Sequence, residues 1–249
     1  MFISPPWPEK YYPGPKIVCG YELKKIDSFH WLILNDEFSR IGSAGIISGI
    51  SIGMAVGLPP ILHYGSDYLK EQVVIPALRG DKFMSLAITE PHVGSDVANL
   101  KTTAVLSQDG SHYIVNGMKK WITNGTFCDF ILTAVRTSDE GMFGISMLLI
   151  DAKSPGVSRR QMKCQGVWSS GTAFIIFDNV NVPVKQLVGE ENQGFKIIMI
   201  NFNFERLGIC ANILSLSRAF VSESFKFVHK RKTFGKRLVD HPVIRLKLG

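Results

Sequence analysis

The sequence has few cysteines, and their spacing argues against two kinds of site. Its 249 residues include only four, Cys19, Cys128, Cys164 and Cys210, which lie far apart and form no CxxC pair. Disulfide frameworks and zinc sites both depend on organised cysteine spacings, and the histidines show no metal-ligand spacing either. We therefore predict no metal site and a reducing compartment.

Charge is absent between residues 41 and 66, where no Asp, Glu, Lys or Arg occurs. Glycines recur there at every fourth position, namely Gly45, Gly49, Gly53 and Gly57. A membrane helix would suit such a run, but Pro59-Pro60 interrupts it before a bilayer length is reached. We expect a buried helix whose glycines permit close approach of a neighbour or ligand, and no transmembrane span.

The net charge of +7 is spread along the chain, and its densest cluster runs from Lys226 to Arg237. Such a cluster could serve nucleic acid, a membrane surface or a phosphorylated ligand. No nucleic-acid motif occurs, and no basic stripe is interleaved with aromatic residues. The composition therefore favours a phosphorylated ligand and predicts no nucleic-acid partner.

The period of the hydrophobic residues changes twice along the chain. It is helical from Asp27 to about Leu78, alternates in short runs from 83 to 182, and is helical again after Val188. No helix-length pattern separates the short runs, so the sheet is predicted to be antiparallel. The fold class is therefore α+β and multidomain: an N-terminal helical domain (1–82), a central antiparallel β-barrel or sandwich (83–186) and the start of a C-terminal helical bundle (187–249).

Finer expectations follow from the same pattern. Strands are predicted at 104–106, 113–115, 130–136, 145–150 and 174–177, with hairpin turns at Asp109-Gly110 and Asn116-Gly117. One long helix is expected from Gly194 to Lys232, and another from His241-Pro242. Residues 1–20, rich in Pro and Tyr, are expected to form an extended arm.

The stretch from Leu86 to Asp96 ends an apolar run in a turn. Pro91 and Gly94 restrict the backbone, and Thr89 and Ser95 supply hydroxyl groups. Such a turn suits an anionic ligand, but these residues by themselves favour a strand followed by an Asx-type turn.

Four segments together resemble the acyl-CoA dehydrogenase family. They are Thr89–Asp96, matching T-E-P-x-x-G-S-D, then Trp121-Ile122-Thr123-Asn124-Gly125, Asn203-Phe204-Glu205-Arg206 and Arg231-Lys232-Thr233-Phe234-Gly235-Lys236. Four matches in family order over about 150 residues are not expected by chance. A looser similarity runs from Phe29 to the last residue and is greatest, by overall impression, to fungal-type members. The chain is expected to lack most of the family's C-terminal helical domain.

The resemblance implies FAD-dependent α,β-dehydrogenation of an acyl-CoA thioester, within fatty acid β-oxidation and lipid metabolism. It further implies an electron-transfer flavoprotein as acceptor and a homo-oligomer, either dimer or tetramer. A mitochondrial or peroxisomal location is also implied, although neither terminus carries a secretory, transit or peroxisomal signal.

The resemblance also assigns site residues. The flavin contacts would be Leu86, Ala87, Ile88, Thr89, Ser95, Trp121, Ile122, Thr123, Arg231, Thr233, Phe234 and His241, with the 231–234 segment usually serving a neighbouring subunit. Trp121 would flank the isoalloxazine ring and Thr123 would bond its polar edge. Ser95, Asn203 and Arg206 would contact the acyl-CoA substrate.

Glu205 is the candidate catalytic base. It falls on the apolar stripe of the predicted long helix, where burial raises the pKa of a carboxyl. The residues alone leave a base and an internal ion pair about equally supported. The resemblance favours the base, because isovaleryl- and long-chain-type members use the Glu of a Glu-Arg pair in this helix. Glu205 would then remove the α-proton while hydride passes from the β-carbon to the flavin.

Two alternatives remain open. An acyl-CoA or nitroalkane oxidase of the same fold would pass electrons to oxygen, and the sequence does not separate it from a dehydrogenase. A truncated, non-catalytic fragment that binds CoA or flavin is a hypothesis of another class.

Overall fold

Helical segments flank a central β-domain in the order that the changing hydrophobic period predicts. The computed structural model describes residues 9–18 and 20–249, so the arm predicted for residues 1–20 lies partly outside the described residues. Its described end forms a short antiparallel hairpin of β1 (Ile17–Val18) and β2 (Tyr21–Glu22).

The N-terminal helical segment begins at a capped helix. The Asp27 carboxylate accepts hydrogen bonds from the backbone N–H groups of Phe29 and His30, which satisfies two of the free donors at the start of α1. Five α-helices follow in order: α1 (Ser28–Ser39), α2 (Ala44–Ile52), α3 (Pro59–Tyr64), α4 (Asp67–Leu69) and α5 (Ile75–Arg79). The π-helical segments Gly53–Gly57 and Lys70–Val74 join α2 to α3 and α4 to α5. The two prolines lie in the first turn of α3, where a missing N–H is tolerated, so they do not end the helical run.

The glycines of α2 and of the π-helical segment after it face the backbone of the β-domain at very short range. A Cβ at Gly49 would lie 2.9 Å from the Ser169 carbonyl oxygen, and one at Gly53 would collide with that of Met84. The glycine spacing therefore allows the close approach that it predicts. By length and composition alone, Ala44–Tyr64 and Gly194–Lys230 could each cross a membrane.

The β-domain is one curved sheet of eight strands. The strands are β3 (Met84–Ala87), β4 (Thr103–Leu106), β5 (His112–Ile122), β6 (Phe130–Arg136), β7 (Ile145–Asp151), β8 (Val157–Gln161), β9 (Ala173–Pro183) and β10 (Leu187–Val188). Their order is β10-β7-β6-β4-β5-β9-β8, and β3 pairs with β6.

Two expectations for this sheet were wrong. The sheet is mixed, because β3 and β6 run parallel, and β4 also bridges β6 in parallel. The β4–β5 hairpin supplies the crossover that parallel strands require, a role usually taken by a helix. Asn116-Gly117 is no turn but part of β5, where the pairing with β9 shifts register and Gly117 adopts a φ of +146°. Asp109-Gly110 does form the predicted turn, with Gly110 N–H bonded to the Ser107 carbonyl.

Strand β6 separates two hydrophobic cores. Its side chains alternate, so Ile131 and Val135 belong to the core inside the curved sheet, while Leu132 and Ala134 face the helices. Both faces are buried, which explains why this strand is a continuous apolar run rather than an alternating one.

The C-terminal segment is dominated by α6 (Gly194–Lys230), which agrees with the predicted long helix. The hairpin of β11 (Lys232–Thr233) and β12 (Lys236–Arg237) follows, and then α7 (Pro242–Leu248). The predicted apolar stripe is only partly buried: Ile198 is in the core, whereas Ile209, Ile213, Phe220 and Phe227 are exposed. Small residues, Gly208, Ala211 and Ser215, are buried instead where α6 packs on α1.

We expect Gly53→Ala to destabilise the chain. Alanine has the better helix propensity by about 1 kcal/mol, but its methyl group would collide with the Met84 carbonyl oxygen and the Asn124 amide. Overpacking of this kind costs about 1–3 kcal/mol. Urea unfolding measures the free energy of unfolding of Gly53→Ala and of a control variant, Ser48→Ala on the preceding helix α2. Equal stability of the two variants would show that this contact is not a constraint.

Candidate active site

A cavity of about 150 Å³ lies where α2, α6 and the β-domain meet. We call it the β-side cavity. Its lining comprises Ile52, Val56, Leu86, Ile88, Thr89, Trp121, Ile122, Thr123, Phe202 and Glu205. Most of the lining is apolar, and the exceptions are two hydroxyl groups, one indole and one carboxylate. Three of the four segments that resemble the family therefore contribute residues to one cavity.

Trp121 occupies a strained position in this wall. Its φ of +63° is uncommon for a bulky residue, and the β5–β9 pairing shifts register between Lys119 and Ile122. The distortion leaves the indole 53% exposed, with the Lys120 Nζ 4.8 Å from the ring centroid. Trp121 and Thr123 line the same cavity, and because the strand is distorted here, Ile122 between them lines it as well. Such strain is concentrated at functional sites.

Glu205 lies in the wall between the β-side cavity and a second cavity of about 120 Å³. We call the second one the helical cavity, because α1, α2 and α6 form it. Its lining comprises Trp31, Asn35, Ser51, Ile52, Ala55, Val56, Phe204, Glu205, Gly208, Ile209 and Asn212. A carboxylate in this wall can reach a molecule that extends from one cavity into the other.

The electrostatic environment of Glu205 suits a proton acceptor. Burial raises the pKa of its carboxyl, and the charge of Arg206 offsets this only in part. Among residues 9–18 and 20–249, no side chain forms an ion pair or hydrogen bond with Glu205. Arg206 instead donates to the Asn203 side chain at 3.1 Å. The internal ion pair that the sequence left open is therefore not formed with Arg206.

A buried ion pair, which the sequence did not reveal, supports the wall of the β-side cavity. The Lys119 Nζ lies 2.9 Å from both the Glu90 carboxylate and the Ile88 carbonyl oxygen. The same carboxylate accepts the backbone N–H groups of Lys101 and Thr102 at 2.7 and 2.9 Å. The turn after β3 is thus tied to β5 two residues before Trp121. Glu90 belongs to the T-E-P segment, but nothing in its spacing from Lys119 identified the partner.

Both charges of this pair are almost inaccessible to solvent, with side-chain exposures of 0% and 5%. Burial lowers the pKa of Lys119 to about 8, and Glu90 opposes that shift. Burial by itself raises the pKa of Glu90, but the Lys119 charge and the hydrogen bonds from Thr102 and Lys101 outweigh it and hold the pKa below its usual value. The pair is ionised at neutral pH.

Four predicted site residues that precede the end of α6 line neither cavity. Ala87, a predicted flavin contact, is instead fully buried in the core inside the curved sheet. Ser95 is exposed on the turn after Pro91 and is absent from the cavity lining, so the predicted shared cavity includes Thr89, Trp121 and Thr123 but not Ser95. Asn203 and Arg206 are exposed on α6, on either side of the Glu205 position. Their predicted contacts with a CoA nucleotide would be made on the outer surface.

The predicted site residues near the C-terminus are far from the β-side cavity. Glu205 precedes Lys230 by 25 positions, which corresponds to roughly 37 Å along the helix. Phe234 is 96% exposed at the tip of the β11–β12 hairpin, and Arg231 is also exposed. Thr233 and His241 are joined through Oγ1 and Nε2 at 3.3 Å. One chain therefore does not bring this group together with Trp121 and Thr123.

Two models of one known family match this chain. The family model "Acyl-CoA dehydrogenase, middle domain" matches residues 85–180, and "Acyl-CoA dehydrogenase, C-terminal domain" matches residues 192–249. The chain belongs to the acyl-CoA dehydrogenase family.

Two curated relatives show how much of such a protein the chain represents. Acyl-CoA dehydrogenase AFT10-1 of Alternaria alternata is 46% identical over 90% of this chain and 51% of its own length. Acyl-CoA dehydrogenase apdG of Emericella nidulans is 44% identical over 93% of this chain and 53% of its own length. The chain spans about half the length of the curated relatives it matches.

Solved structures share the fold. An acyl-CoA dehydrogenase from Geobacillus kaustophilus superposes with a TM-score of 0.86 at 32% identity, covering 98% of this chain and 62% of its own. An acyl-CoA dehydrogenase complexed with FAD from Bacillus anthracis gives 0.83 at 29% identity, covering 97% and 40%. A further relative is the CarC subunit of a caffeyl-CoA reductase–Etf complex from Acetobacterium woodii. It is 33% identical over 90% of this chain and 59% of its own length.

We expect Lys119→Met to cost about 3–5 kcal/mol of unfolding free energy, because it leaves the Glu90 carboxylate buried and unpaired. Adding Glu90→Gln removes that charge and keeps an acceptor for one of the two backbone amides, which bond different carboxylate oxygens, so the double variant should regain part of the loss. Urea unfolding measures the energies, and hydrogen exchange of the two amides reports on the turn. A loss below 1 kcal/mol in the single variant would contradict this interpretation.

We expect the stability difference between the parent and Glu205→Gln to depend on pH. The folded-state pKa of Glu205 is raised above its ordinary value of 4.5, so the folded chain retains a proton that the unfolded chain loses. The parent should therefore lose stability relative to Glu205→Gln as pH rises from about 4.5 through the folded-state pKa. Thermal unfolding from pH 4 to 8 tests the sign, and a parent that gains stability over this range would contradict it.

Proposed function

We propose that this chain provides the acyl-binding and proton-abstracting part of an FAD-dependent acyl-CoA dehydrogenase. The observation that carries the proposal is the position of Glu205, a partly buried carboxylate without an ion-pair partner among the described residues, between two adjoining cavities. A thioester that extends from the β-side cavity into the helical cavity would pass this carboxylate.

The residues of the β-side cavity fit an isoalloxazine ring. Such a ring needs a flat apolar surface together with hydrogen-bonding groups at its polar edge. The half-exposed Trp121 indole supplies a surface, and the hydroxyls of Thr89 and Thr123 supply the polar groups. When bound, FAD would supply the acceptor for the hydride lost from the β-carbon of the acyl group. The FAD-complexed structure among the relatives supports this choice of cofactor.

Glu205 would take the α-proton of the acyl thioester. The raised pKa makes its carboxylate a stronger base than an exposed glutamate. Deprotonation and loss of hydride from the adjacent carbon leave a carbon–carbon double bond in the acyl group, so electrons and protons balance.

Several finer features belong to the same proposal. An electron-transfer flavoprotein as acceptor is supported by the Etf complex that contains a relative. Homo-oligomerisation would let the exposed 231–241 segment serve a neighbouring subunit's FAD, which its distance from the chain's own β-side cavity favours. The proposal also includes a role in fatty acid β-oxidation and a mitochondrial or peroxisomal location. Only the family resemblance supports these two features.

The test is reduction of the flavin by an acyl-CoA. We expect the purified chain, supplied with FAD, to retain flavin absorbance and to bleach anaerobically with a suitable acyl-CoA. Glu205→Gln should keep flavin binding but bleach at least 10²-fold more slowly, roughly 3 kcal/mol in the barrier, because the general base is lost. Glu71→Gln, at an exposed position, is the matched control.

Each other outcome identifies an alternative. Bleaching of Glu205→Gln at the parent rate would show that another group removes the proton. Reoxidation with stoichiometric oxygen consumption would favour an oxidase, and absence of any flavin binding would favour a non-catalytic fragment.

A further inference from the structure

The helical cavity has a polar end, which removal of an α-proton does not require. Three of its lining residues, Asn35, Ser51 and Asn212, carry hydrogen-bonding side chains. They come from α1, α2 and α6 respectively. Three helices therefore place polar side chains in a cavity whose remaining lining is largely hydrocarbon.

The two asparagines each have an unused hydrogen-bonding group. The Asn35 Nδ2 donates to the Trp31 carbonyl oxygen at 2.8 Å, and the Asn212 Oδ1 accepts from the Ser39 hydroxyl at 2.7 Å. Within the described ranges 9–18 and 20–249, the Asn35 Oδ1 and the Asn212 Nδ2 make no hydrogen bond. One acceptor and one donor thus remain for a ligand.

The polar end lies at a definite distance from the proposed base. Asn212 follows Glu205 by seven positions on α6, which is two turns, about 10 Å, on the same helix face. Trp31 forms part of the cavity wall against α6: it is buried, its ring packs edge-to-face on Phe204 at 5.2 Å, and a Cβ at Gly208 would lie 2.9 Å from the indole. The volume of about 120 Å³ is below the roughly 150 Å³ that accommodates benzene in another protein.

We propose that the acyl group accepted here is short to medium in length and carries a hydroxyl or carbonyl oxygen near its far end. This proposal rests on the proposed function, because it assumes that the thioester passes Glu205. A hydrocarbon tail would displace water from the Asn35 Oδ1 and the Asn212 Nδ2 and leave these two groups without a hydrogen bond. A ligand oxygen at that place would restore a hydrogen bond. A site that hydrogen-bonds a substrate hydroxyl discriminates against the analogue that lacks the hydroxyl.

Calorimetric binding to the full chain tests this proposal. The probes are paired CoA thioesters with saturated acyl chains from about four to about eight carbons, each with and without a terminal hydroxyl. In an apolar pocket the hydroxyl weakens binding at every length. We expect the opposite at one length, where the hydroxyacyl thioester binds about threefold to tenfold more tightly than its partner.

Variants of similar volume locate the effect. Asn35→Leu and Asn212→Leu should each reverse the preference at that length, whereas the control Asn181→Leu, at an exposed position of β9, should retain it. If a Leu variant does not fold, the paired ligands on the parent chain decide the question without it.

Two results would overturn the proposal, and they differ. If the thioesters bind but the hydroxyl weakens binding at every length, the polar end is not used, and the proposed function stands. If neither the acyl-CoAs nor the hydroxyacyl-CoAs bind, the proposed function fails, and the preference fails with it.

Discussion

The close approach of α2 to the β-domain is the constraint on which both cavities depend. The helical run can lie against the backbone of β3 and of the loop before β9 only because Gly45, Gly49 and Gly53 carry no side chain. Ile52 and Val56, which belong to the same helical run, then line both cavities. A helix held farther away by side chains would leave Glu205 facing open solvent, where its pKa would return towards that of an ordinary glutamate.

Charge is used in two opposite ways within a short distance. Glu90 is fully paired: its carboxylate accepts from one buried ammonium and two backbone amides, so it stays ionised and holds a turn. Glu205 lacks such partners among the described residues, so burial raises its pKa. The same side chain therefore serves structure in one environment and is suited to proton transfer in the other, and the difference arises entirely from the donors nearby.

The cavity walls combine rigid and strained elements. Lys119 anchors the turn after β3 to β5, and two residues later Trp121 adopts a positive φ. A backbone conformation of this kind costs about 1–3 kcal/mol, and the surrounding structure must stabilise it. The buried ion pair and the paired strands on both sides supply that support, which gives an energetic reason for the motifs to occur together.

The order of helical and β segments and the long helix from Gly194 could be predicted from the sequence, because both depend on local periodicity. It also indicated Thr89, Trp121, Thr123 and Glu205 as residues of one site, through ordered motifs rather than through geometry. The parallel pairing of β3 and β6 could not be predicted from the sequence. It depends on how the connection through β4 and β5 crosses the sheet, and the residues of the two strands do not encode that path. The structure was also needed to show the Lys119 partner of Glu90, the strained φ of Trp121 and the positions of Asn35 and Asn212 in one cavity. Each depends on contacts between residues distant in the chain, and no periodicity within a segment carries that information.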